Sequence, residues 1–233
     1  MAFGFYQSNW DDEAVVFPSM YAGPENSPTP WPAMTAAVSK TPVPSAAVNL
    51  EVPFTSQAPF GVWDHLHDEA CEEASILMAR SWAKSFALNP AVVEAELKKM
   101  VEWQMKSFGF FESTTAEQTA RMAREVYGLK VDLRPSPSLA EIKKEVSGGN
   151  LVIMGMAGRL LGNPHFRSPG PIYHMLVIKG YNDSGFFVND PGTKYGANYY
   201  YSYDTIMEAA HDWAGSEETI YGSPAVALVI SKD

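Results

Sequence analysis

The chain has 233 residues, enough for one fair-sized domain or one domain plus a tail, and with 46% apolar and 19% charged residues its composition is that of a globular protein. Its net charge of −10 argues against the positive footprint with which proteins displace counterions from nucleic acid or bind an anionic membrane surface. A single cysteine excludes an internal disulfide and a cysteine-rich zinc site, and no apolar run is long enough to span a bilayer.

Residues 1–46 are rich in Pro, Ser, Thr and Ala, show no apolar period and read as a flexible extension. Their start has no basic region followed by an apolar run, so no secretory signal is expected, and the compartment stays open. A domain is expected over 47–233. "VNLEVPF" opens it as a short strand, followed by "APFGVWDHLHDEA" as a loop. A helix is expected from about Ala70, with Ala74, Leu77, Met78 and Ser81 on one face. A second begins with Asn89 as cap and Pro90 in its first turn. A third starts near Thr114, paired with Glu117 at capping-box spacing, and stops at Gly128. A fourth runs from Ser138, with Glu141 three residues on, to Gly148-Gly149. The period then changes. "NLVIMGM", "YHMLVIKGY", "GFFVND", "NYYYSY" and "AVALVIS" read as strands, with a turn at Asp183-Ser184-Gly185 and a short helix over 203–212. Helices first and strands later predict an α+β fold.

Cys71 falls at a predicted helix start, where unsatisfied N–H groups and the helix dipole favour a thiolate. A lone cysteine is also a common small core residue, and Asp68, Glu69, Glu72 and Glu73 around it oppose ionisation. A cysteine nucleophile needs a base, and the base needs an orienting group. Of five histidines, His174 alone opens a strand with a carboxylate in a matching place. A turn near Ser184 sets Thr193 opposite His174 and brings Asp190 to about 10 Å at the Cα level, a gap two side chains can close. Gln57 offers a side-chain amide for the oxyanion of a tetrahedral intermediate, together with the Cys71 N–H. "DHLHD" (64–68) is read as a rim loop rather than a metal site, and no nucleotide-binding fingerprint is present, so neither metal nor cofactor is expected. "NYYYSY" reads as an exposed strand with aromatics on both faces, and the long 157–171 connection as a wall of the substrate groove.

In the order Gln57, Cys71, His174, Asp190, the chain resembles papain-like cysteine peptidases. More narrowly, "VPFTSQAPF", "CEEASILMA" and "YHMLVIKGYNDSGFFVNDPGTKYG" resemble cysteine peptidase family thirty-nine, which includes the double-glycine peptidases that trim bacteriocin leaders and many free-standing members. The resemblance covers residues 48–233. It implies a papain-like fold and a thiol hydrolase acting on a peptide or protein substrate. Cys71 is then the nucleophile, His174 the base, Asp190 its orienting acid and Gln57 an oxyanion donor. Transporter-linked members have Gly-Pro after the cysteine where this chain has Glu72-Glu73; no transporter domain is attached, so double-glycine specificity is not carried over. A cell-wall amidase or acyl transferase on the same triad, and a non-catalytic peptide-binding module of the same fold, are the alternative readings.

Overall fold

A computed structural model of the chain describes residues 47–232. The expected flexible extension lies outside the described residues. The elements in chain order are β1 (Val48–Asn49), α1 (His65–Asp68), α2 (Cys71–Lys84), α3 (Pro90–Ser107), α4 (Ala116–Tyr127), β2 (Lys130–Pro135), α5 (Leu139–Ser147) and β3 (Leu151–Ala157). They continue through a 3-10 turn (Gly158–Leu161), β4 (Tyr173–Tyr181), β5 (Gly185–Asn189), β6 (Tyr199–Ser202), α6 (Tyr203–Ala209), α7 (Glu217–Ile220) and β7 (Val226–Ser231).

The local signals explain most boundaries. Asn89 caps α3 by accepting from the Val92 N–H, and Pro90 takes the first helical position, where no intrahelical donor is needed. Ser138 and Glu141 form the expected capping box of α5. Gly128 ends α4 at φ 60°, a conformation that favours glycine. The cap of α4 is Thr115 with Gln118, one residue beyond the expected pair, because the backbone N–H of Thr114 is already bonded to Glu72. The expected loop before α2 contains one helical turn, α1, in which Asp64 accepts from the His67 N–H. The strand over 48–54 is paired only at Val48–Asn49. Strand β2 was not expected, although Lys-Val-Asp-Leu-Arg alternates polar and apolar residues and leaves Lys130, Asp132 and Arg134 outside the buried face.

All strand pairs are antiparallel. The order is β2-β7-β3-β4-β5-β6, and β1 pairs with the far end of β4, Val48 opposite Tyr181. Both faces of the central strands are buried. Tyr173, Met175 and Val177 of β4 pack with α2, α3 and α4, while Leu176 and Ile178 pack with α5 and α6 on the other side. A register shift near Lys179 sets Val177 opposite Asn189. Continued along β4, that register brings Gly192 rather than Thr193 opposite His174, because a bulge adds one residue to one strand. The fold is mixed α+β, with Cys71 at the start of a helix packed on a sheet that bears His174 and Asp190.

Candidate active site

Cys71 is the first residue of α2, and Ala70 before it supplies no capping side chain. The sulfur therefore sits where the helix presents unsatisfied N–H groups. Other groups decide its ionisation. Cys71 is 5% exposed, and its Sγ–H donates to Glu72 Oε2 at 2.9 Å. Burial and the adjacent Glu72 charge push the thiol well above its ordinary range, against a smaller downward pull from the Met175 N–H. Glu72 is itself buried. Its Oε1 accepts from the Thr114 N–H at 2.8 Å, so its carboxyl is pinned from the segment before α4. Glu73 is buried too, beside Gln104; burial and the charge of Glu72 push its carboxyl well up.

His174 and Asp190 form a buried pair, Nε2 to Oδ1 at 2.7 Å. Asp190 also accepts from Tyr201 Oη at 2.8 Å, Asn163 Nδ2 at 3.1 Å and the Gly192 N–H at 3.0 Å. Burial alone would raise the Asp190 carboxyl. The His174 charge and hydrogen bond, with Tyr201 and the Gly192 N–H, outweigh it and hold the group below the usual carboxylate range. The His174 ring meets the edge of Phe166, with centroids 5.2 Å apart, and Nδ1 is the ring nitrogen left by the Asp190 bond. Asn163 and Phe166 come from the 157–171 connection, which also walls a pocket of about 270 Å³ with Arg159, Ser168 and Pro169.

Strand geometry explains how Cys71 meets β4. Met156 is opposite His174, and Gly158 donates to Ile172 O in the same register. Hydrogen-bonded pairs alternate in an antiparallel ladder, so the N–H and C=O of Met175 turn away from β3. β5 ends at Asn189, short of them. Into that gap comes the first turn of α2. Ser75 Oγ donates to Met175 O at 3.3 Å, and the Met175 N–H points at the Cys71 sulfur. The thiol is thus set beside the residue that follows His174.

Gln57 lies beside the segment after Asp190, its backbone N–H donating to Pro191 O at 3.0 Å. Its side-chain Nε2 donates to His67 O at 2.8 Å and Asp68 O at 3.1 Å, while Oε1 is buried without a partner. Gln57 therefore ties the segment before Cys71 to the segment after Asp190. Within "DHLHD", His67 is buried between Asp64 (2.7 Å) and Glu94 (2.8 Å), and His65 lies on the surface beside Glu112. Among the described residues no group of three His, Cys, Asp or Glu could hold a metal ion. His165 packs on Tyr195, and His211 Nδ1 bonds to Ser223 O.

Two partners of Asp190 escape a reading of the sequence. Tyr201 lies in "NYYYSY", where alternation along β6 leaves Tyr200 exposed and buries Tyr201, a distinction the repeated tyrosines conceal. Asn163 sits in a Gly/Pro-rich loop and carries no local signal of its contact.

The model of the Peptidase_C39 like family matches residues 49–220. A crystal structure of a Bacillus anthracis protein assigned as a C39-like peptidase superposes with a TM-score of 0.53 at 16% identity, covering 81% of this chain and 100% of that one. At that identity the likeness concerns the fold. None of the curated proteins matches.

Proposed function

The chain belongs to the Peptidase_C39 like family, and on that premise we propose that it hydrolyses a peptide or amide bond through an acyl-enzyme on Cys71. The observation that carries this reading is the buried His174–Asp190 pair on a strand whose next residue, Met175, contacts the Cys71 sulfur.

In the proposed reaction the Sγ–H proton passes to Nδ1 of His174 and the thiolate attacks the scissile carbonyl carbon. The C–S bond forms as the carbonyl π-bond opens to an oxyanion. Collapse of that intermediate breaks the C–N bond, and His174 returns its proton to the leaving nitrogen. Water then attacks the thioester, with His174 taking its proton; the acid leaves and the thiol is restored. Asp190, acceptor-only and ionised, holds Nε2 protonated so that Nδ1 is the basic atom, and it stabilises the imidazolium that forms. The Cys71 N–H at the uncapped start of α2 is one oxyanion donor. Gln57 Nε2 is the other, released by exchange of its longer bond to Asp68 O.

The test is incubation of the protein with a diverse peptide library and, separately, with peptidoglycan fragments, read by mass spectrometry beside Cys71→Ala. Cleavage that falls at least about a thousandfold in Cys71→Ala supports the reading. Cleavage that persists in the variant, or none of either substrate, rejects it; turnover of the peptidoglycan fragments alone selects the amidase.

Gln57→Ala is expected to lower turnover about ten- to a thousandfold, the range around the loss of one oxyanion donor. Unchanged turnover with a lowered melting temperature would leave Gln57 only as the tie between the Cys71 and Asp190 segments.

A further inference from the structure

The mechanism above leaves one buried group beside the nucleophile unused. Glu72 is 1% exposed, and its two oxygens have separate partners: Oε1 takes the Thr114 N–H at 2.8 Å, and Oε2 takes the Cys71 Sγ–H at 2.9 Å. Thr114 lies 42 residues along the chain, so the carboxyl is held by a backbone group of another element. We propose that Glu72 is a positioning residue for the nucleophile, holding the thiol proton of Cys71 in the resting protein so that the thiolate forms only when Glu72 is neutralised or turned away. The inference rests on the thiol-hydrolase reading of Cys71.

The physical reason is charge. A carboxylate and a thiolate in hydrogen-bond contact, both buried, do not ionise together, and the carboxyl, as the stronger acid, leaves the proton on sulfur. The neighbouring titratable groups add no cation from the helix side. Glu69 and Glu73 come from the start of α2 and the segment before it; Tyr173 comes from β4, with Asp212 bonded to its hydroxyl at 3.4 Å. His174, the intended proton acceptor, is also on β4, tied to Asp190. Glu73 differs from Glu72. It has no bond to the sulfur, and burial with the charge of Glu72 pushes its carboxyl well up, towards the neutral form. Glu72 is also shifted up, by burial, against a downward pull from its bonds with Cys71 and Thr114 that Glu73 lacks. With Glu72 turned away, activation moves one proton, from Sγ to His174; with Glu72 neutralised, a second proton is taken up from solvent onto its carboxylate.

The experiment measures iodoacetamide alkylation of Cys71 by intact-mass spectrometry from pH 5 to 10 for the wild type, Glu72→Gln and Glu73→Gln. The wild-type midpoint is expected above about 8.5, the free-thiol value. Glu72→Gln, whose amide oxygen can still accept from the Thr114 N–H, is expected to lower the midpoint by about one to three units. Its rate at pH 7 then rises about tenfold or more. Glu73→Gln is expected to stay close to the wild type. A Glu72→Gln midpoint that is unchanged or higher overturns the proposal, as does an equal fall in Glu73→Gln. If Glu72→Gln does not fold, thiolate absorbance at 240 nm in Glu72→Met beside the wild type, with Cys71→Ala as blank, decides: a lower midpoint in Glu72→Met supports the proposal and an equal or higher one overturns it. Alkylation needs no substrate, so its outcome is separate from the cleavage assay. Absence of Cys71-dependent cleavage would sink the hydrolase while leaving the thiol midpoint readable.

Discussion

Asp190→Ala is expected to abolish turnover and to lower stability by about 3–5 kcal/mol, the cost of breaking a buried pair from one side. The carboxylate accepts from His174, Tyr201, Asn163 and the Gly192 N–H, so its removal strands four donors at once. In a chain of this size that corresponds to a fall in melting temperature of roughly 6–20 °C. Asp190→Asn separates chemistry from packing. All four partners approach with hydrogens, and an amide brings its own NH₂ against two of them. Where that NH₂ meets His174, the ring turns its proton to Nδ1 and loses its basic atom. The expected drop in turnover is about 10⁴-fold, as for the same exchange in a Ser-His-Asp triad. The pH dependence has a defined sign. Because Asp190 is held below its usual range when folded, its contribution to stability is present above the unfolded value of about 3.9 and is lost as pH falls through the folded one. Melting temperatures measured from pH 2 to 7 should therefore show a shallower acid limb in Asp190→Asn. An Asp190→Asn protein with wild-type turnover would remove Asp190 from the proposed chemistry.

Gly196→Ala is expected to be the most damaging single-methyl change near the site. A Cβ there would lie 1.7 Å from the carbonyl oxygen of Asp190 and 2.7 Å from its carbonyl carbon. Neither atom can swing aside, for both are backbone, and the Asp190 N–H is bonded to Gly196 O at 3.0 Å. The loop from Asp190 to Gly196 must open, and the carboxylate moves with it. Overpacking of this kind costs about 3 kcal/mol or more where no side chain can yield. Turnover should fall with stability, since a displaced Asp190 no longer holds His174. Gly222→Ala is the control: its Cβ meets only Thr219 O, at 3.7 Å, an ordinary contact. Thermal melts of the two variants check the contrast, and a Gly196→Ala melting temperature equal to that of Gly222→Ala would show that the loop relaxes freely.

Short-range chemistry was enough for the α+β class and for most element boundaries. Asn89-Pro90, Ser138 with Glu141, and Gly128 act within one helical turn, so their meaning is local and readable. The apolar runs of β3, β4 and β7 are long enough to require burial on both faces wherever they go. The candidate pair His174 and Asp190 was also legible, because a tight turn leaves two neighbouring strands little freedom of register; only the bulge near Lys179 displaced the expected partner by one residue.

The state of Cys71 was not legible. Its place at a helix start predicts an easily ionised thiol, and the structure has one that burial and Glu72 hold protonated. Glu72 is the next residue and its opposition is readable, but what fixes its effect comes from afar: the Thr114 N–H pins its carboxyl, packing desolvates the thiol, and the Met175 N–H, brought in by β4, pulls only weakly the other way. The same holds for Asn163 and Tyr201 on Asp190. Helix caps and strand periods are interactions between near neighbours, so sequence alone determined them. Desolvation and the partners of a buried carboxyl depend on what closes over it, so only the tertiary structure decided which ionisable groups of this protein are held charged and which neutral.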